Sequence, residues 1–129
     1  MSETQAVVMV VEDDLDVCES LEAIVHALGH VCHTFDSAEV FLQHWNDNHQ
    51  DGNNRDVVIL DIDLPQMDGI ELLSTLRENG SSPPTIIHTG RNDARLREAT
   101  QAFDDIPIVL KGHDGNRIAD LLRSLIGTF

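Results

Sequence analysis

Seven side chains in this 129-residue sequence are of types that could share one chemistry: Glu12, Asp13, Asp14, Asp61, Asp63, Thr89 and Lys111. Each follows or closes a short apolar run. Three or four carboxylates held side by side cannot all stay ionised cheaply without a cation. An oxygen-rich carboxylate site with room for water suits Mg²⁺, which is small, hard and octahedral. In such a site the carboxylates hold the metal and Asp61 supplies a nucleophilic oxygen. The metal, Thr89 and Lys111 are then placed to neutralise the oxygens of an incoming phosphoryl group. Each residue also has an ordinary role. Asp13 or Asp14 suits the N-cap of a following helix. Singly, Thr89 is a strand-end hydroxyl and Lys111 a surface lysine, so it is their joint placement that carries weight.

That placement depends on five apolar runs, at 6–11, 31–35, 57–60, 85–89 and 106–110. They alternate with helix-period segments at about 14–28, 37–48, 69–79, 92–102 and 115–126, the pattern of βα units around a parallel sheet. Val17, Leu21, Ile24, Val25 and Leu28 fall on one helical face, as do Ile118, Leu121, Leu122 and Leu125. The segment 92–102 has the weakest stripe, Ala94, Leu96, Ala99 and Ala102. Ser37, Asp93 and Asp114 suit N-caps, and Gly29 and Gly80 suit helix stops. The runs 6–11 and 57–60 are apolar throughout, as strands buried on both faces must be. The run 31–35 mixes polar and apolar residues and reads as an edge. Pro107, which cannot donate a ladder hydrogen bond, puts the last strand at the other edge. These edges match a known pattern, the flavodoxin-like α/β sheet of order 2-1-3-4-5 with helices on both faces. In such sheets ligands bind beyond the carboxyl ends of the central strands, where the seven residues fall.

Composition excludes several classes of function. The sequence is 41% hydrophobic and 24% charged, ordinary for one globular domain. Eight basic residues against 23 acidic ones give a net charge of −15, which repels phosphate backbones and anionic membranes. No direct nucleic-acid or membrane binding is therefore expected. Cys18 and Cys32 do not make a disulfide framework, and a cytoplasmic setting is expected.

Four motifs in order carry a family resemblance: VMVVEDD at 8–14, VVILDIDLPQMDG at 57–69, IIHTG at 86–90 and IVLK at 108–111. The sequence resembles the receiver domain of bacterial two-component response regulators (the CheY-like group) over nearly its whole length. The resemblance implies that Asp61 is the phospho-acceptor and Asp13 a direct ligand of Mg²⁺ or Mn²⁺. It implies that Glu12 acts on the metal mostly through water and that Asp63 offers its backbone carbonyl. Thr89 is then the residue that swings towards the phosphoryl group, and Lys111 pairs with it. The implied donor is a sensor histidine kinase or a histidine phosphotransfer protein. The implied output is an altered contact with a downstream protein through the face formed by 92–102, 106–110 and 115–126. The whole of 1–129 is expected to be receiver, with no output domain.

Two departures from the family pattern stand out. Lys111 is followed by Gly112 where the family has proline after a cis bond; a trans or mobile loop is expected, because a non-proline cis bond costs about 2.5–4 kcal/mol. Ile108 occupies the position of the family's switching aromatic, and is expected to be core. Arg91 and Asp63 are candidates to meet over the mouth of the site. His26, His30 and His33 are expected to be structural or solvated, and Trp45 to pack the second helix. Two other functions compete. Asp61-Ile62-Asp63 also fits the nucleophile pair of haloacid-dehalogenase-type phosphatases, but it follows a third strand and not a first. A receiver-like interaction module independent of phosphorylation is the other alternative.

Overall fold

Side chains alternate across a strand, so a strand buried on both faces feeds two cores at once. Met9, Val11, Val58, Leu60 and Ile87 face one side, where they meet Phe41, Trp45, Leu72, Leu73 and Leu76. Val8, Val10, Val57, Ile59 and Ile86 face the other, where they meet Leu21, Val25, Ile118 and Leu122. A computed structural model describes residues 6–48, 56–64, 67–78, 80, 83–90, 97–98, 101, 105–112 and 115–126. In chain order these form β1 (Val7–Val11), α1 (Leu15–Ala27), β2 (Val31–Phe35), α2 (Ala38–Asn48), β3 (Val57–Leu60), α3 (Gly69–Glu78), β4 (Thr85–Thr89), β5 (Ile108–Leu110) and α4 (Gly115–Ile126). The five strands are parallel, in the order β2-β1-β3-β4-β5. Helices α2 and α3 cover one face, α1 and α4 the other.

Both predicted edges are edges. β2 leaves His33 and Thr34 exposed. β5 starts two residues later than its apolar run, because Pro107 has no N–H; its carbonyl still accepts from Ile87 N at 2.9 Å. Ile108 corrects an expectation. It is 37% exposed and belongs to neither core cluster, since at this edge only Val109 of the strand turns fully inward. The predicted helix over 92–102 lies outside the described residues except for Arg97 and Glu98, which are helical, and Gln101.

Local signals fix the helix ends. Ser37 Oγ accepts from Val40 N at 3.1 Å and starts α2. Gly29 and Gly80 take φ of +86° and +75°, left-handed values that end α1 and α3 where a side chain would be strained. Asp93 and Asp114, the other two proposed caps, lie outside the described residues. Trp45 is buried and stacks on Phe41, and His30 Nδ1 accepts from Ala6 N at 3.0 Å, so both have structural roles.

Candidate functional site

Register puts the two key carboxylates level. Val11 pairs with Leu60, and the ladder runs one step further: Glu12 N donates to Phe35 O at 2.9 Å and Asp61 N to Val11 O at 3.0 Å. On the other side Thr89 pairs with Leu110, and Lys111 N donates to Thr89 O at 2.7 Å. Strand pairing alone thus carries Glu12, Asp61, Thr89 and Lys111 to one edge of the sheet. Glu12 and Asp61 are only 2% and 3% exposed, and Thr89 is fully buried.

One ammonium serves two carboxylates. Lys111 Nζ lies 2.9 Å from Glu12 Oε1 and 3.0 Å from Asp61 Oδ2. The aligned hydrogen bond goes to Asp61, while Glu12 Oε1 is charge-paired but buried without a hydrogen-bond partner. The remaining oxygens are held by backbone: Asp61 Oδ1 accepts from Asp63 N at 3.0 Å, and Glu12 Oε2 from Asp14 N at 3.2 Å. Burial pushes the Glu12 carboxyl up to about 7; Lys111 offsets part of this and Asp61 adds to it. For Lys111 burial pulls downward, but its contacts with Glu12 and Asp61 win and hold the ammonium above its usual value. Both shifts have the same sense: each group is moved towards its protonated form.

Asp13 is exposed, and its carboxylate comes within 4.8 Å of ligand atoms of Glu12 and Asp61. Three carboxylates gathered in this way make an all-oxygen donor set suited to a hard divalent cation. Asp14, by contrast, is the helix cap: its Oδ1 accepts from Asp16 N at 2.9 Å and Val17 N at 3.3 Å. The open choice between Asp13 and Asp14 is thereby decided. Asp63 is exposed, with its backbone N–H turned to Asp61; Arg91, its suggested partner, lies outside the described residues. Among the described residues no peptide bond is cis, and Gly112 takes a φ of +77°, so the turn after Lys111 is trans and uses glycine's freedom. The two cysteines are free, and burial raises both thiols, Cys32 to about 11, which leaves them poor nucleophiles.

Sequence reading missed one residue. A Cβ on Gly69 would lie 2.7 Å from Ile62 Cα and 2.8 Å from Asp61 O, both backbone atoms. Gly69 N also donates to Ile62 O at 3.2 Å, so α3 begins pressed against the chain that carries Asp61. Asp68 Oδ1 caps that helix through Glu71 N at 2.8 Å. The Asp68-Gly69 pair was the available signal, a cap followed by a residue without a side chain. Gly69→Ala should lower unfolding free energy by about 1–3 kcal/mol, as overpacking against backbone does. Urea denaturation with an unchanged midpoint would refute this close-contact role.

The family model for the response regulator receiver domain matches residues 8–123. The chain belongs to that family. This receiver domain is 27% identical over 123 residues to the transcriptional regulatory protein FixJ of Bradyrhizobium diazoefficiens, covering 95% of this chain and 58% of that protein. It is 33% identical over 93 residues to the response regulator protein TodT of Pseudomonas putida, covering 72% and 39% respectively. The receiver domain thus spans less than two thirds of either relative. Its fold matches that of a response regulator receiver protein from Burkholderia phymatum with a TM-score of 0.78, at 25% identity over 96% of this chain and 97% of the other. Receiver domains generally bind Mg²⁺, and among the described residues Glu12, Asp13 and Asp61 form an acidic cluster that could hold it. No helix among the described residues is long and apolar enough to cross a membrane.

Proposed function

We propose that this receiver accepts a phosphoryl group on Asp61 from a phosphohistidine of a sensor kinase or phosphotransfer protein. The observation that supports this most is the pair of buried carboxylates sharing a single lysine at the carboxyl end of the sheet. An Asp61 carboxylate oxygen forms the new O–P bond as the donor's N–P bond breaks, and the imidazole leaves with that electron pair. Asp13, Asp61 and the Asp63 backbone carbonyl, with Glu12 nearby, would hold Mg²⁺ or Mn²⁺, which would offset charge on the phosphoryl oxygens. Lys111 exchanges one carboxylate partner for a phosphoryl oxygen, and the Thr89 hydroxyl answers another. The backbone bond from Lys111 N to Thr89 O couples the two responses. With Ile108 exposed where an aromatic would swing, the change is expected in the segments after Thr89 and Lys111, altering the face formed by 92–102, β5 and α4 for a downstream protein. The charge of −15 argues against direct contact with nucleic acid. We read 1–129 as receiver throughout, acting in the cytoplasm, in keeping with its free thiols.

Acetyl phosphate with Mg²⁺ should add one phosphoryl group, read by intact mass, and chelation should prevent it. With beryllofluoride, amide exchange should change within 85–126. A protein that gains no mass would leave the phosphorylation-independent module as the better reading, and exchange that changes only at 37–48 would overturn the switching of this face.

Metal binding should depend unequally on the two neighbouring acids. Asp13 is exposed and has a carboxylate to give, whereas Glu12 already holds Lys111 and Asp14 N. Asp13→Ala should weaken Mg²⁺ by about tenfold or more, and Glu12→Gln by less. Because the Glu12 carboxyl sits near pH 7, protons compete with the cation and Mg²⁺ affinity should fall as pH drops from 8 to 6. Equal affinity of wild type and Asp13→Ala in calorimetric titration would refute the ligand assignment.

A further inference from the structure

On the α1/α4 side of the sheet lies a cavity of 340 Å³ that the phosphoryl chemistry leaves unused. Val17, Leu21 and Ile24 of α1, with Leu110 and Ile118, give it apolar walls. Its buried polar group is His88, which strand alternation turns to the same side as Ile86. His88 is 8% exposed, and its Nδ1 is sealed without a hydrogen-bond partner. Nε2 is therefore the nitrogen left to meet the cavity. A sealed lone pair is more easily tolerated than a sealed N–H, so the proton belongs on Nε2 and the cavity meets a donor. Burial, aided by the Lys111 charge and opposed by Asp61, keeps the imidazole below its usual value and therefore neutral at pH 7.

We propose that this cavity is a binding site for a small neutral molecule with a flat apolar body and one carbonyl oxygen, which accepts from His88 Nε2. The volume is at the lower end for small-molecule sites, suiting a single-ring ligand. The charge pattern selects against anions. Asp16 also lines the cavity, the chain carries −15, and the ammonium of Lys111 is already held by Glu12 and Asp61. Lys111 lines the cavity and reaches the acidic cluster from the other side, so the two sites share one residue. Binding here requires neither phosphorylation nor metal.

Benzamide is the probe, titrated into the full chain with Mg²⁺ present and followed by methyl and histidine-ring NMR. Saturable shifts are expected at Leu21, Ile24, Ile118 and the His88 ring. Toluene, which lacks the acceptor, should bind about 3–10-fold more weakly, the worth of one hydrogen bond. Benzoate should bind more weakly than benzamide as well. His88→Phe should keep the fold, checked by its thermal transition, and lose the preference for benzamide over toluene. Ile24→Trp, which fills the space, should abolish binding of both. Shifts scattered over the surface, or none, would overturn the site. Equal affinity for toluene and benzamide would also overturn it, leaving an apolar groove suited to a partner's side chain.

Discussion

Asp61→Asn should abolish the mass gain from acetyl phosphate while leaving the domain folded. The amide keeps the shape of the carboxylate but offers no anionic oxygen to attack phosphorus. The substitution tests the reaction and not the scaffold, because the contacts around Asp61 tolerate it. The Asn carbonyl can still accept from Asp63 N, the bond now 3.0 Å long, and Lys111 retains Glu12 at 2.9 Å. Removing one of two buried carboxylates also removes a repulsion that raises Glu12. The Glu12 carboxyl should therefore move down from about 7, and thermal stability without metal should be equal to or above wild type. Intact mass, peptide mapping and a melting curve check the three parts. Phosphoryl transfer that survives at another residue would refute the assignment of Asp61, and a collapsed melting transition would show that its main role is structural.

Lys111→Met should be the most destabilising single change at this site. It leaves Glu12 and Asp61 buried with no counter-charge, and breaking a buried pair in this way costs about 3–5 kcal/mol. The pH dependence follows from Glu12, whose folded value is raised. Its protonated form is favoured by folding, so its contribution to stability is present below pH 4.5 and lost as pH rises through about 7. Without Lys111 that folded value should rise further. The gap between wild type and variant should therefore be wide at pH 8 and narrow at pH 5, when Glu12 carries its proton. Mg²⁺ at pH 8 should recover part of the loss by supplying the missing charge. Melting curves across pH, with and without Mg²⁺, test this. A gap that is constant with pH would show that the lysine stem, and not its charge, stabilises the site. Acetyl phosphate labelling should also slow in the variant, since one of the groups that answer the phosphoryl charge is gone.

The sequence by itself determined the sheet and the cast of the site. Unbroken apolar character at 6–11 and 57–60, a mixed strand at 31–35 and Pro107 together specify which strands are central and which are edges. Because ligands gather beyond the strand ends of such sheets, the positions of Glu12, Asp61, Thr89 and Lys111 in the sequence mark them as candidates. Only the tertiary structure decided what neighbours do to one another. Asp13 and Asp14 are the same residue type one position apart, and the turn into α1 makes Asp14 the cap and leaves Asp13 beside Glu12 and Asp61. Whether Lys111 meets one carboxylate or two depends on pairing with Asp61, fifty residues away, and with Glu12, farther still, which no local pattern encodes. Ile108 reads as core from its type, yet an edge strand has a partner on one flank only, and there the side chain stays partly in water. Gly69 and His88 have the same lesson. Their roles come from the backbone of Asp61 and Ile62 in one case and from the gap between α1 and α4 in the other, and such distances are fixed only when the elements pack.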